Sequence, residues 1–187
     1  MEHPPASIAY SPDGTHIAVA NFGLNTVSII KTSDYKVIDT ITVGTGPVSV
    51  AYSPDGNHIA VANSASNSSG NYTVSIIDTS TYTVTQTVTS SAFEGPYSVA
   101  YSPDGSHIAA ANVGSDTVSI IKTSDYTLTH TVPVGSGPRS VAYSPLAALA
   151  SHVNITGPDG YSQNKVSISE SQNSIITKPI IKSGKYL

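Results

Sequence analysis

Three stretches of the chain carry an aspartate and, three residues later, a histidine, and both residue types can bind metal ions. The aspartates are Asp13, Asp55 and Asp104, and the histidines are His16, His58 and His107. Each aspartate precedes a glycine, which is typical of a tight turn, and the alternating oxygen ligands of a calcium loop are absent. We therefore expect turns at the aspartates and no metal site. If the three stretches are arranged around a common axis, the imidazoles of these histidines could still approach one another. A packing or hydrogen-bonding role for the histidines is nevertheless favoured.

The sequence carries no recognisable catalytic motif. Serine and threonine are abundant, but no Gly-x-Ser-x-Gly elbow occurs, and no motif places a histidine beside a carboxylate. The glycine loops at 44–46 and 135–137 lead into strand patterns, whereas a phosphate-binding loop leads into a helix. There is no cysteine, which excludes thiol nucleophiles and disulfides. We expect no catalytic residue and no cofactor.

An internal repeat organises the chain. The motif Ser-[Ile/Val]-Ala-Tyr-Ser-Pro begins at Ser7, Ser49, Ser98 and Ser140, and its tyrosines are separated by 42, 49 and 42 residues. A period of this length indicates a stacked repeat architecture. One repeat therefore has seven extra residues.

Each repeat shows four strand signals with turn residues between them. In the first repeat we predict strands A to D over 7–11, 16–21, 26–31 and 36–43. Pro-Asp-Gly ends strand A, and no helical periodicity appears. Four short strands per unit predict an all-β protein, a β-propeller built from four-stranded antiparallel blades. The blades are predicted at about 5–46, 47–95, 96–137 and 138–184.

The run Tyr-Ser-Pro-Asp-Gly-x-His-Ile-Ala-Val-Ala-Asn, followed by Asn-Thr-Val-Ser-Ile-Ile and Val-Gly-x-Gly-Pro, resembles the YVTN family of β-propeller repeats. That family occurs in bacterial and archaeal surface-layer and secreted proteins. Its name-giving motif stands here at 18–21, 60–63 and 109–112, with alanine at the aromatic and threonine positions. The resemblance implies larger rings, commonly of seven blades.

The fourth repeat is degenerate, and this leaves ring closure open. After Pro145 the expected Asp-Gly is replaced by Leu-Ala-Ala-Leu-Ala, and the strand C pattern resumes only at 164–168. Four blades are the minimum for a propeller. The alternatives are a tight four-bladed ring, two chains that pair their end blades as a homodimer, and an arc cut from a longer parent. We favour the last two, because wedge-shaped blades that repeat almost without change are not tuned for the sharper angle of a four-bladed ring. An unpaired end blade would expose an apolar face, which marks an association or aggregation site.

Variation between repeats indicates where a ligand could bind. The B–C and D–A loops should emerge on one face, opposite the Pro-Asp-Gly turns, and the second repeat has insertions in both. Loops on a rigid scaffold commonly carry function. We therefore predict a ligand-binding site at the mouth of the central channel, formed by Phe93, Glu94, Tyr97 and Arg139.

Composition limits the partners. Charged residues make up 11% and the net charge is -4, without the basic cluster expected for nucleic-acid binding. No apolar run has the length of a membrane span. Residues 1–5 lack the features of a secretory signal, so the protein is not exported by that route or Met1 lies inside a longer chain. Asn67, Asn71 and Asn154 match the glycosylation pattern and fit an extracellular or cell-surface location.

Together these observations predict a non-enzymatic repeat module of a secreted or cell-surface prokaryotic protein. It would serve protein or glycan binding, or structural assembly, including self-association through end blades. The alternative, which the family resemblance allows, is a fragment of a propeller enzyme or cofactor domain, such as a lactonase-like hydrolase or a haem-binding reductase-like domain.

Overall fold

Twelve β-strands arranged as three antiparallel sheets form the part of the chain that the computed structural model describes, residues 4–65 and 71–144. The first sheet contains β1 (Ser7–Tyr10), β2 (His16–Asn21), β3 (Thr26–Lys31) and β4 (Lys36–Thr42). The second contains β5 (Pro47–Tyr52), β6 (His58–Asn63), β7 (Thr73–Asp78) and β8 (Thr83–Thr89). The third contains β9 (Pro96–Tyr101), β10 (His107–Asn112), β11 (Thr117–Lys122) and β12 (Leu128–Pro133). One 3₁₀ turn, Phe22–Leu24, joins β2 to β3.

The strands follow one another in space as they do in sequence, so each sheet is a four-stranded meander of the kind that forms a propeller blade. This confirms the all-β fold and the four strands predicted for each of the first three repeats. In the first repeat, strands B and C begin and end at the predicted residues, and strands A and D are each one residue shorter than predicted. The predicted strands of the fourth repeat after residue 144 lie outside the described residues.

Two apolar cores lie between successive sheets, because alternate side chains of each strand point to opposite faces. The core between the first and second sheets consists of Ala18, Ala20, Val27, Ile29, Ile41, Val50, Ile59, Val61 and Ile77. The core between the second and third consists of Ala60, Ala62, Val74, Ile76, Val88, Phe93, Val99, Ile108, Ala110 and Ile121. The second sheet is thus covered on both faces, and every residue of its strand β6 after His58 is buried.

The first strand of each sheet is the innermost, since β1 lies beside β5 and β5 lies beside β9. One hydrogen bond repeats between them. The amide of Val50 donates to Ser7 Oγ, and the amide of Val99 donates to Ser49 Oγ, both at 3.2 Å. The amide of Val141 donates to Ser98 Oγ at the same distance, so the start of the fourth repeat enters in the same register.

Candidate functional site

The B–C and D–A loops meet on one face of the sheets, as predicted. The amide of Gly46, in the loop between the first two sheets, donates to Asn25 Oδ1 at 2.9 Å. The amide of Gly137 makes the corresponding bond to Asp116 Oδ1 at 2.7 Å. Asn25 and Asp116 adopt a left-handed backbone conformation that asparagine and aspartate tolerate better than most residues. The B–C turns of the first and third sheets therefore each hold the linker that leads out of the same sheet.

Two of the predicted site residues, Tyr97 and Arg139, are in contact on this face. Tyr97 follows the buried Pro96 at the start of β9, and 37% of its surface is exposed. The guanidinium carbon of Arg139 lies 5.3 Å from the centre of the Tyr97 ring, within cation–π range. Arg139 is itself exposed. An aromatic surface and a fixed positive charge are thus presented together; we call Glu94, Tyr97 and Arg139 the mouth surface.

The other two predicted residues, Phe93 and Glu94, differ from each other in position. Phe93 has only 3% of its surface exposed and belongs to the core between the second and third sheets. Its buried ring anchors the inserted loop to the core. Phe93 is therefore not a surface residue that could contact a ligand, as the sequence had predicted. Glu94 is exposed, and its carbonyl accepts a hydrogen bond from the amide of Gly114 at 2.8 Å. Only Glu94 of this pair therefore has a side chain available to a ligand.

Sequence reasoning missed two apolar residues on the same face, Phe22 and Leu24. They lie in the 3₁₀ turn between β2 and β3, with 37% and 75% of their surfaces exposed. The signal was present in the sequence, because the third repeat has Val-Gly-Ser-Asp where the first has Phe-Gly-Leu-Asn. Exposed large apolar side chains beside a variable loop are typical of binding surfaces.

The opposite face is made regular by a hydrogen-bonded turn at each aspartate. Ser11 Oγ donates to Asp13 Oδ1 at 2.6 Å, and the amide of Thr15 donates to the same oxygen at 3.0 Å. These bonds to the ionised carboxylate, above all the one from Ser11, lower the pKa of Asp13 to about 2. The same serine-to-aspartate bond occurs at Asp55 and Asp104. The aspartates are thus turn-forming residues.

The repeated histidines follow these turns at the start of the second strands. The amide of His16 donates to Ser11 Oγ, and that of His107 donates to Ser102 Oγ, both at 2.9 Å. The imidazoles make local contacts, with Nδ1 of His107 2.7 Å from Ser106 Oγ. In the described residues, no three His, Asp or Glu side chains lie close enough together to hold a metal ion.

A cavity of about 260 Å³ opens between the second and third sheets on this turn side. Its lining includes Asp55, His58, Tyr101 and Tyr126. The Tyr101 hydroxyl is buried and has no hydrogen-bond partner among the described residues. Burial, with smaller contributions from Tyr126 and Asp55, raises the pKa of Tyr101. The hydroxyl therefore stays protonated.

One of the three candidate glycosylation sites lies in the described part of the chain. Asn71 is exposed two residues before β7, in the inserted loop of the second repeat. Asn67 and Asn154 lie outside the described residues. None of the described segments forms an apolar helix of membrane-spanning length.

Comparison with solved structures shows a β-propeller-type repeat fold. The chain is similar to hydrazine synthase of Kuenenia stuttgartiensis, with 24% identity and a TM-score of 0.66 over 73% of this chain and 38% of that one. It is also similar to U3-55K, with 11% identity and a TM-score of 0.62, and to the RRP9 WD40 repeats, with 12% identity and the same score.

These last two likenesses cover 71% of this chain and 40% and 39% of those chains. The chain therefore matches about two fifths of the length of each of these three structures. No model of a protein family matches the sequence, and no curated protein does either.

Proposed function

We propose that the chain is a non-enzymatic interaction module that binds a protein partner through its mouth surface. The observation that carries this proposal is the stacked, exposed pair Tyr97 and Arg139. Tyrosine and arginine are enriched among the residues that dominate binding energy at protein interfaces. The likeness to WD40-type structures supports a repeat module for protein interaction.

The chemistry of the mouth surface favours a partner with an acidic group. A guanidinium stacked on an aromatic ring still presents its N–H donors at the edge, where a carboxylate can accept two of them. The exposed apolar side chains of Phe22 and Leu24 on the same face provide contact area beside this polar anchor. A glycan partner would use the same tyrosine and arginine as stacking surface and donor.

The repeat family and the cellular location of the protein are proposed from its sequence. We place the chain among YVTN-type propeller repeats because its turn, second-strand and linker motifs resemble that family. The family resemblance and the exposed glycosylation pattern at Asn71 support a secreted or cell-surface location, including a surface layer. For the alternative of a propeller hydrolase or cofactor domain, no such support comes from the arrangement of side chains in residues 4–65 and 71–144.

The test is a comparison of binding by matched variants. The purified wild-type protein, the double variant Tyr97→Ala/Arg139→Ala and the control Lys122→Ala are presented on a surface to proteins and glycans of the cells that make it. Lys122 is an exposed cation at the end of β11, on the opposite face. We expect one reproducible partner for the wild type and the control, bound at least tenfold more weakly by the double variant.

Two results would overturn this function. One is a partner that binds the double variant as tightly as the wild type, which would place the binding site elsewhere. The other is turnover of a lactone by the purified protein or retention of haem, which would favour the enzyme or cofactor alternative. Circular dichroism of each variant checks that the exposed substitutions leave the fold intact.

A further inference from the structure

The cavity of about 260 Å³ between the second and third sheets, which we call the turn-side cavity, is lined by acidic and aromatic side chains. Its carboxylates are those of Asp55 and Asp104, and its rings are those of Tyr101 and Tyr126. Among the described residues that line it, His58 is the one basic residue, and none is a lysine or an arginine. Two carboxylates in one concave site favour a positively charged occupant.

The hydroxyl of Tyr101 is a buried group of this cavity without a partner. It makes no hydrogen bond to any residue in 4–65 and 71–144. Most buried polar groups in folded proteins are paired, because an unpaired one is unfavourable. Burial raises the pKa of Tyr101 and of Tyr126, and the negative charge of Asp55 adds to the effect at both. A hydrogen-bond donor placed between Asp55 and these rings would therefore satisfy the Tyr101 hydroxyl.

The carboxylate of Asp104 keeps one oxygen available, in contrast to the equivalent aspartates. Its Oδ1 accepts three hydrogen bonds from within its own turn, whereas its Oδ2 accepts none from the described residues. At Asp55, the side chain of Asn57 donates to Oδ2 at 3.0 Å. At Asp13, the hydroxyl of Thr15 does so at 2.8 Å. The third turn therefore leaves a charged acceptor that its own residues do not use.

A guanidinium suits these acceptors better than other cations do. The acceptors belong to two sheets, with Asp55 on the second and Tyr101 and Asp104 beside it on the third. A guanidinium directs five N–H donors outward from one plane and stacks on aromatic rings, whereas an ammonium is a compact, strongly hydrated charge. A water molecule occupies about 30 Å³, so the cavity has room for a guanidinium and a short alkyl stem. In the described part of the chain, no three His, Asp or Glu side chains could hold a metal ion instead.

We propose that the turn-side cavity binds a guanidinium group, which is either the side chain of an arginine in a partner protein or part of a small free ligand. The N–H groups donate to Tyr101 Oη and Asp104 Oδ2, and the positive charge lies beside Asp55. The cavity is on the face opposite the mouth surface. Binding in the cavity and partner binding at the mouth surface are therefore independent of each other.

The first experiment is an NMR titration of the 187-residue protein with methylguanidinium, and with methylammonium as the matched probe, at constant ionic strength. Methylguanidinium should bind saturably and shift the amide signals of Gly105 and Thr123, which line the cavity. Methylammonium should bind at least fivefold more weakly. The proposal is overturned if neither probe binds, or if both bind equally well, since equal binding shows attraction of any cation.

The contribution of the free carboxylate oxygen is tested with Asp104→Asn. This variant keeps an oxygen that can accept the hydrogen bonds of the turn but loses the charge, and it should bind methylguanidinium at least tenfold more weakly. Asp13→Asn is the matched control, because it makes the same change in the equivalent turn of the first sheet, away from the cavity. It should bind as the wild type does. Equal affinities of the two variants would contradict the proposed site.

The contribution of the hydroxyl is tested with Tyr101→Phe, with Tyr52→Phe at the equivalent position of the second sheet as the control. Tyr101→Phe should weaken binding at least threefold, and Tyr52→Phe should leave it unchanged. The ligand-free Tyr101→Phe protein should be at least as stable to heat as the wild type, because the substitution removes an unpaired buried hydroxyl. A less stable variant with unchanged affinity would show that the hydroxyl serves the fold alone, and would overturn its assignment to the site.

The source of the guanidinium is distinguished with a blocked Gly-Arg-Gly peptide, and with blocked Gly-Lys-Gly as its control. Binding of the arginine peptide more tightly than methylguanidinium supports the site with a protein partner as the source. Tighter binding of methylguanidinium supports the site with a small free ligand. Binding of the lysine peptide as tightly as the arginine peptide would overturn the preference for a guanidinium.

Discussion

The guanidinium of Arg139 lies over the ring of Tyr97, with its carbon 5.3 Å from the ring centre, and this contact joins two successive repeats. Both residues follow the proline that opens their repeat, where the first two repeats have Ala6 and Val48. Residues at equivalent positions of successive repeats therefore lie next to each other at the start of the innermost strands. The only aromatic residue and the only cation among these four positions are adjacent.

This contact predicts a specific spectroscopic difference between two variants. In the wild type, the Tyr97 ring should shift the δ-methylene protons of Arg139 upfield in the NMR spectrum. Tyr97→Phe should preserve the shift, because the ring remains, and Tyr97→Ala should abolish it. The free energy of unfolding should change by less than about 1 kcal/mol, since an exposed cation–π pair contributes about 0.5–1 kcal/mol. Equal shifts in all three proteins would mean that the pair does not form in solution.

The strands and turns were predictable from sequence because they depend on local chemistry. Pro-Asp-Gly ends each first strand, and β-branched runs mark the third strands, so boundaries in the first repeat were placed within one residue. The adjacency of Tyr97 and Arg139 was predictable in outline, because equivalent residues of a repeat share one level of the fold. These predictions needed only the period and the strand direction.

The burial of Phe93 shows why the positions of the loop side chains could not be predicted from sequence. The extra residues of the second repeat indicated a variable loop, but not which of their side chains would turn inward. That choice depends on space left between two sheets, where the Phe93 ring joins Val88 and Val99 in the core. The exposure of Phe22 and Leu24 was not predicted for a related reason. The sequence of a short turn does not distinguish apolar side chains that are buried from apolar side chains that are exposed.

Close packing of the linker between the first two sheets predicts a stability loss at Gly44. A β-carbon at Gly44 would lie 2.5 Å from Asn63 Nδ2 and 2.6 Å from Thr73 Oγ1. Gly44→Ala should therefore force the sheets apart and lower the free energy of unfolding by about 1–3 kcal/mol. Thermal unfolding measures this loss, and a variant as stable as the wild type would contradict it.

The hydrogen bond between the Ser49 hydroxyl and the next innermost strand predicts that Ser49→Ala lowers the free energy of unfolding. Ser49→Ala removes the acceptor of the Val99 amide and leaves a buried donor without a partner, at a cost of about 1 kcal/mol. Urea unfolding measures this loss, and hydrogen exchange at the Val99 amide should accelerate. Ser33→Ala is the control, because Ser33 is exposed, and it should have no measurable effect. A neutral Ser49→Ala with unchanged exchange would show that the bond contributes nothing.

The aspartate turns predict a loss of stability in acid. The pKa values of Asp13 and Asp104 are lowered to about 2 in the folded protein, chiefly by the hydroxyls of Ser11 and Ser102. Because the unfolded chain binds these protons at higher pH, the turns contribute stability above about pH 4 that is lost as the pH falls towards 2.

Removing one of the two hydroxyls should change a single titration. Ser102→Ala should return the pKa of Asp104 towards its ordinary value of 3.8 while the pKa of Asp13 stays at about 2, because the two turns belong to different sheets. Carboxyl carbon shifts followed by NMR between pH 1.5 and 6 report both groups in one experiment. The Ser102→Ala protein should also lose less stability between pH 4 and pH 2 than the wild type, because fewer protons are taken up on unfolding. An Asp104 titration unchanged by the substitution would show that another group lowers its pKa.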